Sequence, residues 1–153
     1  MKKVLALRGT ASKGKSQTIR KAYDLLRTKY PEAIVEDLAP SWGIDIKVVL
    51  TINGVKIGIE SRGDPSNRLP ESLIEFAGMS CEVIICATRT SGGTVTAVEN
   101  LKTTHNYELV PFEQADAGNS KSDQDAANRK MAKQIAAETE KALPRNEAQA
   151  AAH

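Results

Sequence analysis

The sequence predicts a single α/β domain, a three-layer sandwich in which helices cover both faces of a mainly parallel central sheet. Short, nearly continuous apolar runs alternate with segments whose apolar residues recur every three or four positions. That alternation is typical of parallel strands joined by helices. The 153 residues, 41% of them hydrophobic, are enough for one domain with a core of its own. A β-hairpin and a C-terminal helix are expected in addition to this sandwich.

The expected elements follow from these patterns in chain order. Residues 4–7 form an apolar run that predicts a strand. Residues 16–30 carry apolar positions at helical spacing, and Pro31 ends that helix. Asn53-Gly54 divides residues 46–60 into two strands, because Asn-Gly is the preferred sequence of a two-residue hairpin turn. The remaining predicted elements are a loop at 61–67, a helix at 70–78, a strand at 82–87, a helix at 94–103 and a strand at 107–110.

A change of composition after residue 114 indicates where the domain proper ends. Residues 1–114 are predicted to form the α/β domain, and the small polar residues 115–124 to form a linker or loop. Residues 125–144 are rich in alanine and predict a helix that packs on the same domain and stops at Pro144. Residues 145–153 are expected to be a disordered tail.

Charge and composition narrow the classes of partner. Residues 1–30 carry nine Lys or Arg against one acidic residue, Asp24, whereas the rest of the chain carries twelve against eighteen. A basic segment of this kind surrounds a phosphate or meets nucleic acid. Nucleic acid is not expected here, because aromatic residues are only 4% of the chain and the lysines and arginines of the 16–30 helix fall on its polar side. With no apolar run of membrane-spanning length and two cysteines outside any CxxC pattern, a cytoplasmic protein is expected.

The most specific signal is a glycine-rich loop between the first predicted strand and the first predicted helix. Residues 9–16, Gly-Thr-Ala-Ser-Lys-Gly-Lys-Ser, match G-x-x-x-x-G-K-[ST] at every fixed position. Glycines let backbone N–H groups converge on phosphate oxygens, and the helix that follows adds the positive end of its dipole. Lys15 is expected to reach the β- and γ-phosphates, and the Ser16 hydroxyl to bind Mg²⁺. The predicted phosphate-binding residues are Gly9, Thr10, Ala11, Ser12, Lys13, Gly14, Lys15, Ser16 and Gln17.

Residues 3–111, through this loop, resemble the P-loop NTPase superfamily. The resemblance implies a nucleoside triphosphate with Mg²⁺, and an acidic residue at the end of a second strand that holds the metal. Glu60 matches that position, and Glu60-Ser61-Arg62-Gly63 is similar to the D-x-x-G pattern of small GTPases, with Glu in place of Asp. Asp64 is the alternative acid, either ordering the attacking water or holding the metal.

Two arginines are candidates to offset charge at the γ-phosphate. Arg62 follows Glu60, and Arg89 follows a predicted strand at the edge where α/β sheets bind ligands. The candidate catalytic residues are Lys15, Glu60, Asp64 and Arg89, and the candidate metal ligands are Ser16 and Glu60. Residues 87–94 contain no N-K-x-D motif for guanine, so ATP is the expected nucleotide.

Three functions are compatible with such a site. A small ATPase is the preferred one. A small-molecule or nucleotide kinase is the first alternative, although Arg89 is the only arginine between the 82–87 strand and Leu101, where a kinase would need an arginine-bearing lid. A non-catalytic nucleotide-dependent switch is the second, with residues 61–69 or the C-terminal helix as candidate surfaces for a protein partner.

Overall fold

The computed structural model describes residues 2–9, 12–62, 69–88, 93–113 and 120–144 of the chain. These residues form an α/β structure with a six-stranded mixed sheet and helices on both of its faces. In chain order the elements are β1 (Lys3–Arg8), α1 (Ser12–Lys29), β2 (Ile34–Asp37), β3 (Lys47–Ile52), β4 (Val55–Glu60), α2 (Leu69–Gly78), β5 (Val83–Thr88), α3 (Gly93–His105), β6 (Glu108–Glu113) and α4 (Lys121–Glu140).

The strand order across the sheet is β2-β3-β4-β5-β1-β6. The strands β4, β5, β1 and β6 run parallel to one another, and β2 and β3 extend this block through antiparallel pairs. The predicted hairpin is confirmed as β3 and β4. Its turn residues Asn53 and Gly54 have φ of 50° and 83°, positive values that a type I′ turn requires.

The core has one half on each face of the sheet. On the first face, α1 and α4 pack on the odd-numbered side chains of β1 and β5; this half includes Leu5, Leu7, Ile19, Leu26, Ile85 and Ile135. On the second face, α2 and α3 pack on the alternate side chains; this half includes Val4, Ala6, Phe76, Ile84, Cys86 and Leu101. The arrangement is compatible with the predicted three-layer sandwich, and the α/β class is confirmed.

The close approach of α2 to the sheet depends on a glycine in β4. A Cβ atom on Gly58 would lie 2.5 Å from the ring of Phe76, which is completely buried. The bare Gly58 backbone therefore accommodates the aromatic ring. This contact fixes α2 against the carboxyl-terminal half of β4, beside Glu60.

The helix α4 joins the first face through polar as well as apolar contacts. Lys3 Nζ lies 2.8 Å from Glu138 Oε2, and the Tyr30 hydroxyl donates a hydrogen bond of 2.7 Å to Glu140 Oε2. These contacts connect the last helix to β1 and to the end of α1. In the described part of the chain no helix has the length and the apolar composition that crossing a membrane would require.

Helix boundaries differ from the predicted ones at several points: α3 ends at His105 instead of residue 103, and α4 ends at Glu140 instead of residue 144. The helix α1 begins at Ser12 instead of residue 16, because Gly14 takes helical dihedrals and nothing in the sequence after Ser12 breaks the helix. The helix α4 begins at Lys121, inside the predicted linker, since Ser120 caps it by accepting a hydrogen bond from the N–H of Asp123. Residues 115–119 and the predicted tail, 145–153, lie outside the described residues.

Strand predictions were wrong in two places. The strand β2 was not predicted: it has only four residues, most of them exposed, and it forms by pairing with β3. The last strand, β6, continues through Pro111 to Glu113 instead of ending at residue 110. A proline is tolerated there because β6 is an edge strand with β1 as its sole neighbour in the described sheet.

Candidate functional site

The candidate site lies at the carboxyl ends of β1 and β5. These strands are parallel neighbours, with Arg8 of β1 in register with Thr88 of β5. The chain leaves β1 for α1 on the first face and leaves β5 for α3 on the second. Connections that diverge between two neighbouring strand ends mark the usual ligand position in open α/β sheets, and this place is called the crevice below.

Lys15 bridges the two strand ends. Its side chain is only 2% exposed, and its Nζ donates hydrogen bonds to the carbonyl oxygens of Gly9, at 2.6 Å, and of Thr88, at 2.7 Å. A buried ammonium group needs such partners, since an isolated buried charge is costly. The predicted phosphate-binding lysine is therefore fixed at the crevice by the backbones of both flanking segments.

The predicted loop differs in conformation from the expectation. Residues Ser12 to Lys15 belong to the first turn of α1, so the loop expected before a helix starting at residue 16 is wrong for these residues. The N–H groups of a first helical turn have no partner within the helix and point out from its end. An anion bound at residues 9–16 would therefore meet a helix N-terminus. Thr10, Ala11 and the side chains of Ser12 and Lys13 lie outside what the structure describes.

Ser16 contacts a carboxylate that the sequence analysis did not identify. Its hydroxyl donates a hydrogen bond of 2.7 Å to Oδ1 of Asp45, in the segment between β2 and β3. The Ser61 hydroxyl donates to the same Oδ1 at 2.9 Å, and the N–H of Ile46 donates to the Ser61 hydroxyl oxygen at 2.9 Å. Asp45 thereby links the start of α1 to the end of β4.

Arg62 extends this network toward the single tryptophan of the chain. Its Nε lies 3.5 Å from Oδ2 of Asp45, and its guanidinium carbon lies 4.1 Å from the centroid of the Trp42 ring. Stacking on an aromatic face and pairing with a carboxylate together restrict the arginine. The candidate charge-offsetting residue Arg62 is thus held beside Ser16 through one shared partner, Asp45.

Glu60 lies on the other face of the sheet from Ser16. The alternation of β4 directs Glu60, like Gly58, toward α2, and the Ser72 hydroxyl of α2 donates a hydrogen bond of 2.5 Å to Glu60 Oε1. The expectation that Glu60 would accompany Ser16 is corrected in this respect: the carboxylate at Ser16 is Asp45. The sequence correctly indicated that Glu60 ends a strand, but the alternation of side chains along β4 places its carboxylate on the α2 face.

Burial changes the acidity of Glu60. The residue is only 1% exposed, and loss of solvation raises the pKa of its carboxyl from 4.5 to about 7. The Ser72 hydrogen bond and the charges of Lys47 and Arg62 lower this pKa, and Glu75 raises it, but burial dominates. A carboxyl whose pKa is close to neutral can take up or release a proton under physiological conditions.

Gln17 connects the predicted phosphate-binding segment to the last helix. Its Oε1 accepts a hydrogen bond of 3.4 Å from Nδ2 of Asn128, a residue of α4 that is completely buried. The Asn128 Oδ1 accepts a second bond, of 2.9 Å, from Gln124. The structure thus places Gln17 in contact with α4, whereas Asp64, Gly63 and Arg89 lie outside the described residues.

The Ser16 hydroxyl and the Asp45 carboxylate are oxygen groups of the kind that Mg²⁺ prefers. Mg²⁺ prefers hard oxygen ligands and is bound through one or two carboxylates together with substrate phosphates, without a cage of protein ligands. The Ser16 hydroxyl and the Asp45 carboxylate supply such oxygens side by side. No group of three or more His, Cys, Asp or Glu residues suited to a metal occurs within the described ranges, and a phosphate-bound Mg²⁺ does not need one.

Comparisons with protein-family models, with curated proteins and with solved structures gave no match to this chain.

Proposed function

We propose that the chain is a P-loop protein that binds ATP with Mg²⁺ and hydrolyses the bond between the β- and γ-phosphates. The observation that carries this proposal is the position of Lys15, whose buried ammonium group joins the ends of β1 and β5 at the N-terminus of α1. A fixed cation beside outward-pointing helical N–H groups favours a polyanionic ligand. The match of residues 9–16 to the phosphate-loop pattern supports a phosphate chain as that ligand.

The metal would lie on the α1 side of the phosphate chain. Ser16 and Asp45 would hold it, and both could be direct ligands. Alternatively, the Ser16 oxygen would be the ligand, and Asp45 would accept a hydrogen bond from the Ser16 hydroxyl. Bound Mg²⁺ neutralises charge on the β- and γ-phosphates. In this assignment Asp45 takes the metal role that the sequence analysis gave to Glu60, and the sequence-based role of Asp64 stays a prediction.

Hydrolysis needs a water oxygen to attack the γ-phosphorus, the bond to the β,γ-bridging oxygen to break, and the water proton to be accepted. Glu60 is the candidate acceptor because burial raises the pKa of its carboxyl to about 7 and it lies at the same edge of the sheet as Thr88. Lys15 would stabilise the charge on the leaving diphosphate. Arg62 and Arg89 remain the candidates for offsetting charge at the γ-phosphate.

One observation favours the switch function as a second candidate. Asp45 binds Ser16 and also Ser61 and Arg62, so the start of the segment after β4 contacts the residue expected at the metal. A ligand that rearranges Ser16 and Asp45 would alter the contacts of residues 61–62 directly. In such a switch, binding of the nucleotide would be coupled to recognition of a protein partner, with or without fast turnover.

Release of inorganic phosphate from Mg²⁺·ATP distinguishes these functions. We expect the wild-type chain to release phosphate and Lys15→Ala to abolish this release. The control variant Lys21→Ala should release phosphate as the wild type does, because it removes a lysine charge from the same helix but outside the site. Release that is unchanged in Lys15→Ala would contradict the proposal. Tight ATP binding without release by the wild type would favour the switch or a kinase that lacks its acceptor.

A further inference from the structure

Two buried polar atoms next to the crevice have no hydrogen-bond partner. Within the described residues, the buried side-chain atoms without a partner are Nε of Arg8 and Oγ1 of Thr88. Arg8 and Thr88 face each other in register on β1 and β5, strands about 4.8 Å apart. The two atoms therefore belong to one place in the molecule.

Their position is the second face of the sheet, at its ligand-binding edge. Arg8 continues the alternation that puts Val4 and Ala6 on this face, and Thr88 continues that of Ile84 and Cys86. The main-chain oxygen of Thr88 accepts the hydrogen bond from Lys15 Nζ at 2.7 Å. Thr88 therefore joins the lysine of the phosphate site, through its backbone, to the unpartnered side-chain atoms.

Such atoms are uncommon in folded proteins, where nearly all buried polar groups are paired. Thr88 is only 1% exposed, so its hydroxyl is cut off from bulk solvent. A buried donor without an acceptor is the group that a ligand oxygen satisfies with the largest gain, because its cost of desolvation has already been met in folding. The two atoms together favour an anionic oxygen, since Nε–H and the hydroxyl both donate.

Within the described part of the chain, the ion pair of Arg8 with Glu113 leaves Arg8 Nε free to bind a ligand oxygen. Its terminal nitrogen pairs with Glu113 Oε1 at 3.1 Å, but the two side chains are 36% and 68% exposed. Ion pairs this exposed are weak, so Glu113 holds the guanidinium loosely while Nε stays on the buried side. The nearby carboxylate on this face, Glu60, is bonded to Ser72 of α2.

We propose that Arg8 Nε and Thr88 Oγ1 form a subsite for a phosphoryl oxygen on the second face of the sheet, occupied by the terminal phosphate of the bound triphosphate. This inference rests on the proposed nucleotide site and adds to it the groups that distinguish a triphosphate from a diphosphate. Arg8 and Thr88 contribute donors from the side opposite α1, so the terminal phosphate is held from both faces. The same chemistry would also suit a separate inorganic phosphate.

Calorimetric titrations with ATP, ADP and inorganic phosphate, all with Mg²⁺, test the subsite. The variants are Thr88→Val, which removes only the hydroxyl, and Arg8→Met, with Thr103→Val and Arg129→Met as exposed matched controls. We expect each site variant to weaken ATP binding about tenfold or more and ADP binding less than about twofold, because each removes a hydrogen bond to a charged oxygen. Thr88→Val should melt no earlier than the wild type, since it removes an unsatisfied buried hydroxyl.

The outcomes separate the subsite from the proposed function. If Lys15→Ala weakens ATP binding about a hundredfold while Thr88→Val and Arg8→Met bind ATP as the wild type does, the nucleotide site stands and the subsite is wrong. Equal weakening of ATP and ADP also overturns the subsite. If the wild type binds neither nucleotide, both proposals are wrong. Inorganic phosphate that binds the ADP complex in a manner dependent on Thr88 and Arg8 would support the subsite with a separate phosphate as its occupant.

Discussion

The ammonium group of Lys15 donates a hydrogen bond of 2.7 Å to the carbonyl oxygen of Thr88, a residue 73 positions further along the chain. This bond joins the start of α1 to the end of β5 across the point where the chain connections diverge. The Lys15 ammonium group is therefore held in place by the segments that follow β1 and end β5, which would surround a ligand at this edge. Catalysis of phosphoryl transfer depends largely on such fixed charge, because positioning and electrostatics supply most of it.

The metal assignment predicts the behaviour of Asp45→Asn. The variant keeps the size of the side chain and an oxygen for the Ser16 hydroxyl but removes the negative charge. We expect ATP affinity in the presence of Mg²⁺ to fall about tenfold or more, the usual effect of losing a partner of a metal ligand, and ATP affinity without Mg²⁺ to be unchanged. Titrations with and without Mg²⁺ measure this, with the exposed Asp24→Asn on α1 as the control. An identical loss with and without Mg²⁺ would show that Asp45 has no metal role.

The buried carboxyl predicts a dependence of stability on pH. Glu60 stays protonated in the folded chain up to about pH 7, whereas the unfolded chain loses this proton near 4.5. Its favourable contribution is therefore complete below about pH 4.5 and is lost as the pH rises to about 7. The free energy of unfolding of Glu60→Gln should equal that of the wild type at about pH 4.5. At about pH 8 it should exceed the wild-type value by up to about 3 kcal/mol.

Urea unfolding of wild type and Glu60→Gln at both pH values measures the effect. The exposed Glu99→Gln, in the middle of α3, is the control and should change neither value. A Glu60→Gln difference that is the same at both pH values would mean that the carboxyl ionises normally in the folded chain.

The last helix, α4, is predicted to contribute to the stability of the domain and to unfold together with it. Ile135 of α4 is 1% exposed and belongs to the same half of the core as α1. Ile135→Ala should lower the free energy of unfolding by about 2–4 kcal/mol, the range for a buried aliphatic truncation, with a single cooperative transition. The neighbouring exposed Lys133→Ala should change it by less than about 0.5 kcal/mol. Two separate transitions, with Ile135→Ala affecting one alone, would show that α4 folds independently.

Most of the fold could be predicted because its signals are local. The Asn53-Gly54 turn and the apolar run of β5 each specify an element without reference to the rest of the chain. The strand β2 could not be found in this way, since its four residues become a strand only by pairing with β3. Ser120 was a readable signal, because Ser followed three residues later by Asp123 is a common start of a helix.

The candidate site was predictable only where its residues are contiguous. Lys15 and Ser16 belong to a motif with fixed spacing, and the structure brings them to the crevice. Asp45 lies 29 positions from Ser16 in a segment without a motif, so its role depends on the tertiary path of the chain. For Glu60, the position at a strand end was evident from the sequence. The face of the sheet on which its side chain lies depends on the alternation of β4 and on the contact with Ser72.

The central claim is that Lys15 holds the phosphates of a bound nucleotide, and calorimetric titration of Mg²⁺·ATP tests it most directly. We expect the wild type and Lys21→Ala to bind with equal affinity and Lys15→Ala to bind about a hundredfold more weakly, as the loss of a charge-assisted hydrogen bond implies. Circular dichroism would establish that Lys15→Ala keeps its fold. Equal affinity of Lys15→Ala and wild type, or no binding by either, would contradict the claim.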